Sequence, residues 1–210
     1  MELSAGQLES NWNKYLKIVN TFISGERKDK LLNLYNELSE EIIMSPASSK
    51  VSYHNAFPGG YLDHVLRVIH CSLKVKGLWE EMGGIIDFTD EELVFTALNH
   101  DLGKIGGKGT PGYIPQTDKW RQDKLGEIYT MNRDIDFMLA NDRSLFLLQK
   151  YGIAISEKEY LAIKLHGGLY DESNKAYYIS YNPESKLKSN LTHILHQADF
   201  LASKIESDKN

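Results

Sequence analysis

The chain has 210 residues, a formal net charge of -5 and one cysteine. That length suits one domain with a full core, or one domain with a small helical extension. The acidic balance offers no global attraction for polynucleotides or anionic membranes, and the lone Cys71 excludes an intramolecular disulfide and a thiolate zinc cluster.

Leu8, Trp12, Tyr15, Leu16, Val19 and Phe22 recur at helical spacing, and Gly25 breaks the run. A second helix is predicted from about residue 28 to 44, with Leu31, Leu32, Tyr35, Leu38 and Ile42 on one face. Residues 45–60 read as a loop with Pro46, Pro58 and the Gly59-Gly60 pair. Leu62, Val65, Leu66, Ile69 and Leu73 mark a third helix. Thr89 and Glu92 form a capping box for a fourth, which should end near Leu102-Gly103. Residues 103–117 are glycine-rich and irregular, and 118–132 fit a short β-hairpin or a helix equally well. Helices are predicted around 134–150, from the Ser156-Glu159 capping box to about His166, and along Leu191, Ile194, Leu195, Ala198, Leu201 and Ile205. The expectation is an all-α chain: a helical extension over 1–44, packed on a core domain over 45–210. The polar start and the lack of an 18-residue apolar run predict neither a signal peptide nor a membrane span, hence a cytoplasmic setting.

Several histidines occupy positions that an apolar helix would not choose. His64 lies in GGYLDHVLRV, the His100-Asp101 pair in ALNHDLGK, and Asp199 in HILHQADFLAS. Three helices would thus each present ligands to one point, the usual way a helical bundle builds a metal site. Adjacent residues on a helix point ~100° apart, so His100 and Asp101 converge only on an ion at the seam between their directions. Imidazole with carboxylate suits manganese, iron, cobalt, nickel or zinc. The bland alternative is a buried histidine bonded to an aspartate, which a lone His-Asp dipeptide does not exclude.

In these residues the chain resembles the HD superfamily of metal-dependent phosphohydrolases. The order His64, His100-Asp101, Asp199 is similar to that family's ligand pattern, and the likeness spans roughly Ser45 to Ile205. SPASSKVSYHNAFPGGYLDHVLRV and LAIKLHGGLYDESNKAYY look like the small stand-alone phage and bacterial branch. The segment before His64 is also similar to the HD module of certain bacterial 3′–5′ exoribonucleases, whose oligonucleotide-binding barrel has no counterpart here. The resemblance implies one or two divalent transition metals per chain and hydrolysis of a nucleotide phosphoester by a metal-activated water. It implies a catalytic role for Asp101 and for Lys104, one turn past the pair, where a cation can neutralise charge on a phosphoryl group. The plain reading of Lys104 is a cation at a helix C-terminus.

Other residues carry two readings each. His166, before Gly167-Gly168, is a candidate for a second metal or a phosphate contact, or else a cation at a helix end. His196, three residues before Asp199, ligates, buttresses the site or bonds a carbonyl. His54, Arg67, Lys108 and Tyr170 are candidate substrate contacts, each with an ordinary loop or surface alternative. GKIGGKGTPG fails as a P-loop, because Leu102 and Gly109 stand where Gly and Ser/Thr are required, and reads instead as a flexible lid. The expected partner is a small nucleotide or short oligonucleotide, with no long duplex and no membrane. A 3′–5′ exonuclease or phosphodiesterase on short or cyclic oligonucleotides is the alternative within the same chemistry, and a non-catalytic metal-containing nucleotide-sensing module is the alternative outside it. Oligomeric state is left open, a homo-oligomer included.

Overall fold

The computed structural model describes residues 3–182 and 184–208; the outermost ends of the 1–44 and 45–210 spans lie outside them. In chain order it comprises α1 (Ala5–Phe22), α2 (Gly25–Glu37), α3 (Ser39–Met44), α4 (Gly60–Glu81) and α5 (Asp90–Asn99). A 3₁₀ turn (Leu102–Ile105) follows, then β1 (Gly106–Gly107), β2 (Thr110–Pro111), β3 (Tyr113–Pro115), α6 (Lys119–Leu125) and β4 (Tyr129–Met131). The rest is α7 (Ala140–Lys150), α8 (Glu157–Leu165), two 3₁₀ turns (Gly168–Tyr170 and Glu172–Asn174), α9 (Lys175–Tyr178) and α10 (Leu191–Ser207). The chain is mainly α-helical, with two small two-stranded sheets among the described residues. None of the described helices is long and apolar enough to cross a membrane.

The capping boxes at Thr89-Glu92 and Ser156-Glu159 both form, with side chain and backbone satisfying each other reciprocally. A third, Ser4-Gln7, starts α1. Glu159 does more than cap. It is fully buried and takes a two-pronged contact from Arg27, at 2.8 and 2.6 Å, which ties α8 to α2.

Three boundaries differ from expectation. The single helix read over 28–44 is two helices, because Leu38 leaves the helical region at φ -106°, ψ 21°. Leu38 N–H still reaches the Leu34 carbonyl and Ile42 N–H the Leu38 carbonyl across the break. The helix expected from 134 begins at Ala140. Phe137 is 78% exposed and Leu139 41%, so the segment before Ala140 buries little apolar surface to hold it helical. Residues 118–132 hold both structures that seemed to compete. Asp118 caps α6 through the Trp120 and Arg121 amides, and β4 then pairs antiparallel with β3, Tyr113 opposite Met131. The hairpin partner therefore lies upstream, in the stretch expected to be irregular. That stretch also holds the β1–β2 pair, Gly106 opposite Pro111.

Tyr15, Val19, Leu31, Leu34, Leu38 and Ile42 from the first 44 residues share one continuous core with Leu62, Val65, Leu93, Leu98, Ile194 and Leu195. α10 packs along α4 and against α8 and α5, and α4 and α8 each pack against α5. This four-helix contact is the frame of the site.

Candidate metal centre

His64 stands in the second turn of α4 and is fully buried. His100 closes α5 in helical conformation, and Asp101 then leaves the helix at φ -109°, ψ 10°. That departure resolves the geometric difficulty of adjacent ligands. Asp101 is no longer bound to the ~100° step of a helix, and its Oδ2 lies 3.5 Å from His100 Nε2 and 3.7 Å from His64 Nε2. Asp199, from α10, places Oδ1 at 3.2 Å from His64 Nε2 and 3.8 Å from His100 Nε2. His166, at the end of α8, brings Nε2 to 3.4 Å from the other Asp101 oxygen.

The outer nitrogen of each of these imidazoles is already engaged. His100 Nδ1–H donates to the Ala97 carbonyl and His166 Nδ1–H to the Ile163 carbonyl, both at 2.8 Å. A carbonyl can only accept, so in the neutral ring the proton sits on Nδ1 and the Nε2 lone pair turns inward. His64 Nδ1 meets a buried carboxylate, Glu206, at 2.9 Å, the arrangement that orients metal-binding histidines. The Nε2 atoms of His64 and His100 are buried with no hydrogen-bond partner. Asp199 is within ion-pair range of His64 but outside hydrogen-bond geometry. Two buried nitrogens without a hydrogen-bond partner, with two carboxylates beside them, fit a cation.

Electrostatics agree with that fit. Burial pushes His100 down to about 4, which keeps the ring neutral and able to donate its lone pair. Burial also opposes charge on His64, but the Asp199 and Glu206 carboxylates prevail and push it up to about 10. The site thus favours positive charge at that nitrogen. Burial would raise the Asp101 carboxyl, yet Lys104 and His100 hold it well below the usual carboxylate range. Asp199 is lowered in the same way against its burial, chiefly by His64. Donor atoms fall into three groups, each within 4.8 Å: His64, His100 and Asp101; His100, His166 and Asp199; and His54, His64 and Glu206. These buried groups could hold a metal ion.

The remaining candidates divide. Lys104 belongs to the site: the 3₁₀ turn after Asp101 brings its Nζ to 2.6 Å from Asp101 Oδ2. His54 also borders it, its ring 4.5 Å from that of His64 and its Nε2 buried without a partner. Burial, helped by His64, pushes His54 down to about 3. Ser48 accounts for its place on the loop, donating to the His54 carbonyl at 2.7 Å. His196 is absent from the three donor groups and instead donates to the His166 carbonyl at 2.7 Å, so it positions another candidate ligand. Arg67 Nε is taken by Glu206 at 2.9 Å and supports His64 from behind. Lys108 lies out in solvent beside Glu37, at 3.6 Å, and has no contact with the cluster. Tyr170 is exposed on the turn after His166.

Sequence reasoning missed Glu206 and Ser144. Glu206 sits seven residues after Asp199, two helical turns on and so on the same face, which is the signal that could have found it. Ser144 accepts from the Gly103 amide at 2.8 Å and donates to the His100 carbonyl at 3.2 Å, fixing the turn between the ligand pair and Lys104. Gly103 is needed there, since a Cβ would stand 2.0 Å from the Ala140 carbonyl oxygen. Gly168 plays a similar part, at φ +57° with a Cβ position 2.2 Å from the His196 ring.

Compared with known proteins, the chain matches no protein-family model, no curated protein and no solved structure.

Proposed function

We propose that the chain is a metal-dependent phosphohydrolase acting on a nucleotide, the activity that its resemblance to the HD superfamily implies. The observation that supports this most is the convergence of the buried His64 and His100 Nε2 nitrogens on Asp101 and Asp199, beside the ammonium of Lys104. The two aspartates supply the two negative charges that balance a divalent cation. Their mixture with imidazole suits manganese, iron, cobalt, nickel or zinc. Such a cation, when bound, lowers the pKa of a coordinated water to ~7 and polarises a phosphoryl oxygen.

The chain's own groups have separable tasks. His64, His100, Asp101 and Asp199 hold the ion, with His166 in reserve as a further donor. Asp101 stays ionised because Lys104 faces it, so it orients a water rather than taking its proton. Lys104 keeps a fixed positive charge where negative charge grows on the phosphoryl oxygens. Glu206 and Arg67 hold His64 in its ligating tautomer.

Metal analysis of the purified chain should find at least one transition metal, lost in the His100→Ala/Asp101→Ala double variant. A metal-free wild type overturns the proposal. Mononucleotides and short oligonucleotides, screened with manganese, cobalt, nickel or zinc, then identify the substrate. Turnover of oligonucleotides alone moves the reading to an exonuclease or phosphodiesterase. Bound metal and bound nucleotide without turnover of anything move it to a sensing module.

A further inference from the structure

Two aromatic residues close in sequence to candidate ligands are absent from the three donor groups. Phe200 directly follows Asp199 on α10, so its backbone adjoins that of a candidate ligand at one Cα step, ~3.8 Å. Tyr170 is four residues beyond His166. Their rings stack on each other, centroids 6.2 Å apart and planes within 19°. Lys204, one helical turn past Phe200, puts Nζ 5.3 Å from the Phe200 ring centroid. This is an ordered assembly, yet it stands in solvent: Tyr170 is 80% exposed and Phe200 42%.

The turn that carries Tyr170 is held from beneath. Asn174, fully buried, donates to the Gly168 carbonyl at 3.0 Å, and the His196 ring packs under Gly168. Tyr170 N–H closes the turn on the Gly167 carbonyl at 3.3 Å. Buried polar contacts therefore fix the backbone of a residue whose side chain buries little. Single exposed aromatics need no explanation. A stacked pair with a cation over one ring, rooted on α10, which supplies Asp199, and on the turn that follows His166, is a ready surface for a flat aromatic ligand bearing negative charge nearby.

We propose that Tyr170, Phe200 and Lys204 form a stacking platform that holds the base of a nucleoside phosphate whose phosphate lies at the metal centre. The inference rests on the phosphohydrolase reading for the position of the phosphate. The platform offers a ring face and a cation and no pattern of donors and acceptors for base edges. It therefore accepts purines and pyrimidines alike, because every base has a π-face. It discriminates instead between a nucleotide and a phosphoester that has no base.

The test is equilibrium binding by calorimetry to the full, metal-loaded chain. The probes are the phosphonate analogues, which resist hydrolysis, of adenosine 5′-monophosphate, uridine 5′-monophosphate and ribose 5-phosphate. Both nucleotides should bind wild type about tenfold more tightly than ribose 5-phosphate, within the range that base–aromatic stacking supplies. Tyr170→Ala and Phe200→Ala should each reduce that ratio and together abolish it, while Tyr170→Phe keeps it. Unchanged melting temperatures show that the variants remain folded. Equal binding of nucleotide and ribose phosphate to wild type overturns the platform, as does a ratio that survives the double alanine variant. A separate turnover assay on metal-loaded wild type keeps the two readings apart. A base-dependent ratio without turnover of any nucleotide supports the platform and refutes hydrolysis.

Discussion

Glu206 is the residue through which the ligand geometry can be probed without touching a ligand. Its side chain is buried, with one oxygen 2.9 Å from His64 Nδ1 and the other 2.9 Å from Arg67 Nε. Glu206→Gln keeps the volume and one acceptor, but its amide nitrogen must then face either His64 N–H or Arg67 N–H, a donor against a donor. Glu206→Ala removes both acceptors and frees the His64 ring to rotate. Loss of an outer partner of a metal-binding histidine typically weakens the metal ~10–100-fold, or ~1.4–2.7 kcal/mol. The expectation is about tenfold for Glu206→Gln and about a hundredfold for Glu206→Ala. Hydrogen bonds to charged groups contribute ~1.5–3 kcal/mol each. The Arg67 share is smaller, because its side chain is 28% exposed and can turn to water. Titration with manganese or zinc against a competing chelator gives the affinity, and thermal denaturation gives the stability. Both variants binding metal within twofold of wild type would refute the reasoning. A lowered melting temperature with unchanged affinity would reduce Glu206 to a brace between α4 and α10.

Other outcomes follow from the same geometry. Lys104→Met should leave the metal content intact while kcat for a phosphoester falls ~10²–10³-fold, the usual cost of losing one charge-stabilising donor; metal loss alongside would instead make Lys104 a structural partner of Asp101. Gly168→Ala meets both a left-handed φ and the His196 ring, so it should destabilise by more than ~1 kcal/mol and disturb His166; a wild-type melting curve would contradict this. Ser156→Ala removes a capping acceptor worth ~1 kcal/mol and should lower Tm by ~2–4 °C, measured calorimetrically. Burial, and then His196, lower the pKa of His193 from its ordinary value. The unfolded chain therefore binds this proton more readily, and the contribution of His193 to stability is present at neutral pH and lost as pH falls through its folded pKa. An NMR titration of its ring should give a midpoint below that of a free histidine.

The cluster of candidate ligands was legible because unusual residues stand out in apolar helices: His64 between Leu62 and Val65, His100 and Asp101 after Ala97 and Leu98, Asp199 after Ala198. The capping boxes were legible for a local reason, since donor and acceptor lie within one turn. What escaped depended on distance along the chain or on burial that no local pattern reveals. Glu206 stands among Ser203, Lys204, Ser207 and Asp208 and reads as a solvated helix end, although α4 covers it completely. Arg67 and Lys108 looked alike as cations near the motif. Only packing separates one locked onto Glu206 from one facing Glu37 in water. The break at Leu38 and the late start of α7 were hidden because both segments have acceptable helix formers, and tertiary burial rather than propensity decides there. β3 and β4 are separated by α6, so their pairing left no short hairpin signature.

α10 also has a consequence in time. It supplies Asp199 and Glu206 and, through Leu191, Ile194, Leu195 and Ala198, covers the apolar face of α4. His100 and Asp101 are synthesised ahead of Asp199 by roughly 5–20 s at the usual ~5–20 residues per second, and His64 earlier still. For that interval the growing chain holds an incomplete ligand set above an uncovered core. Docking of α10 then shuts the core and completes the cluster of donor atoms in one event. Any ion held by that cluster is fully enclosed only at the end of folding, so its choice is set by the ions present when α10 arrives rather than by those met earlier.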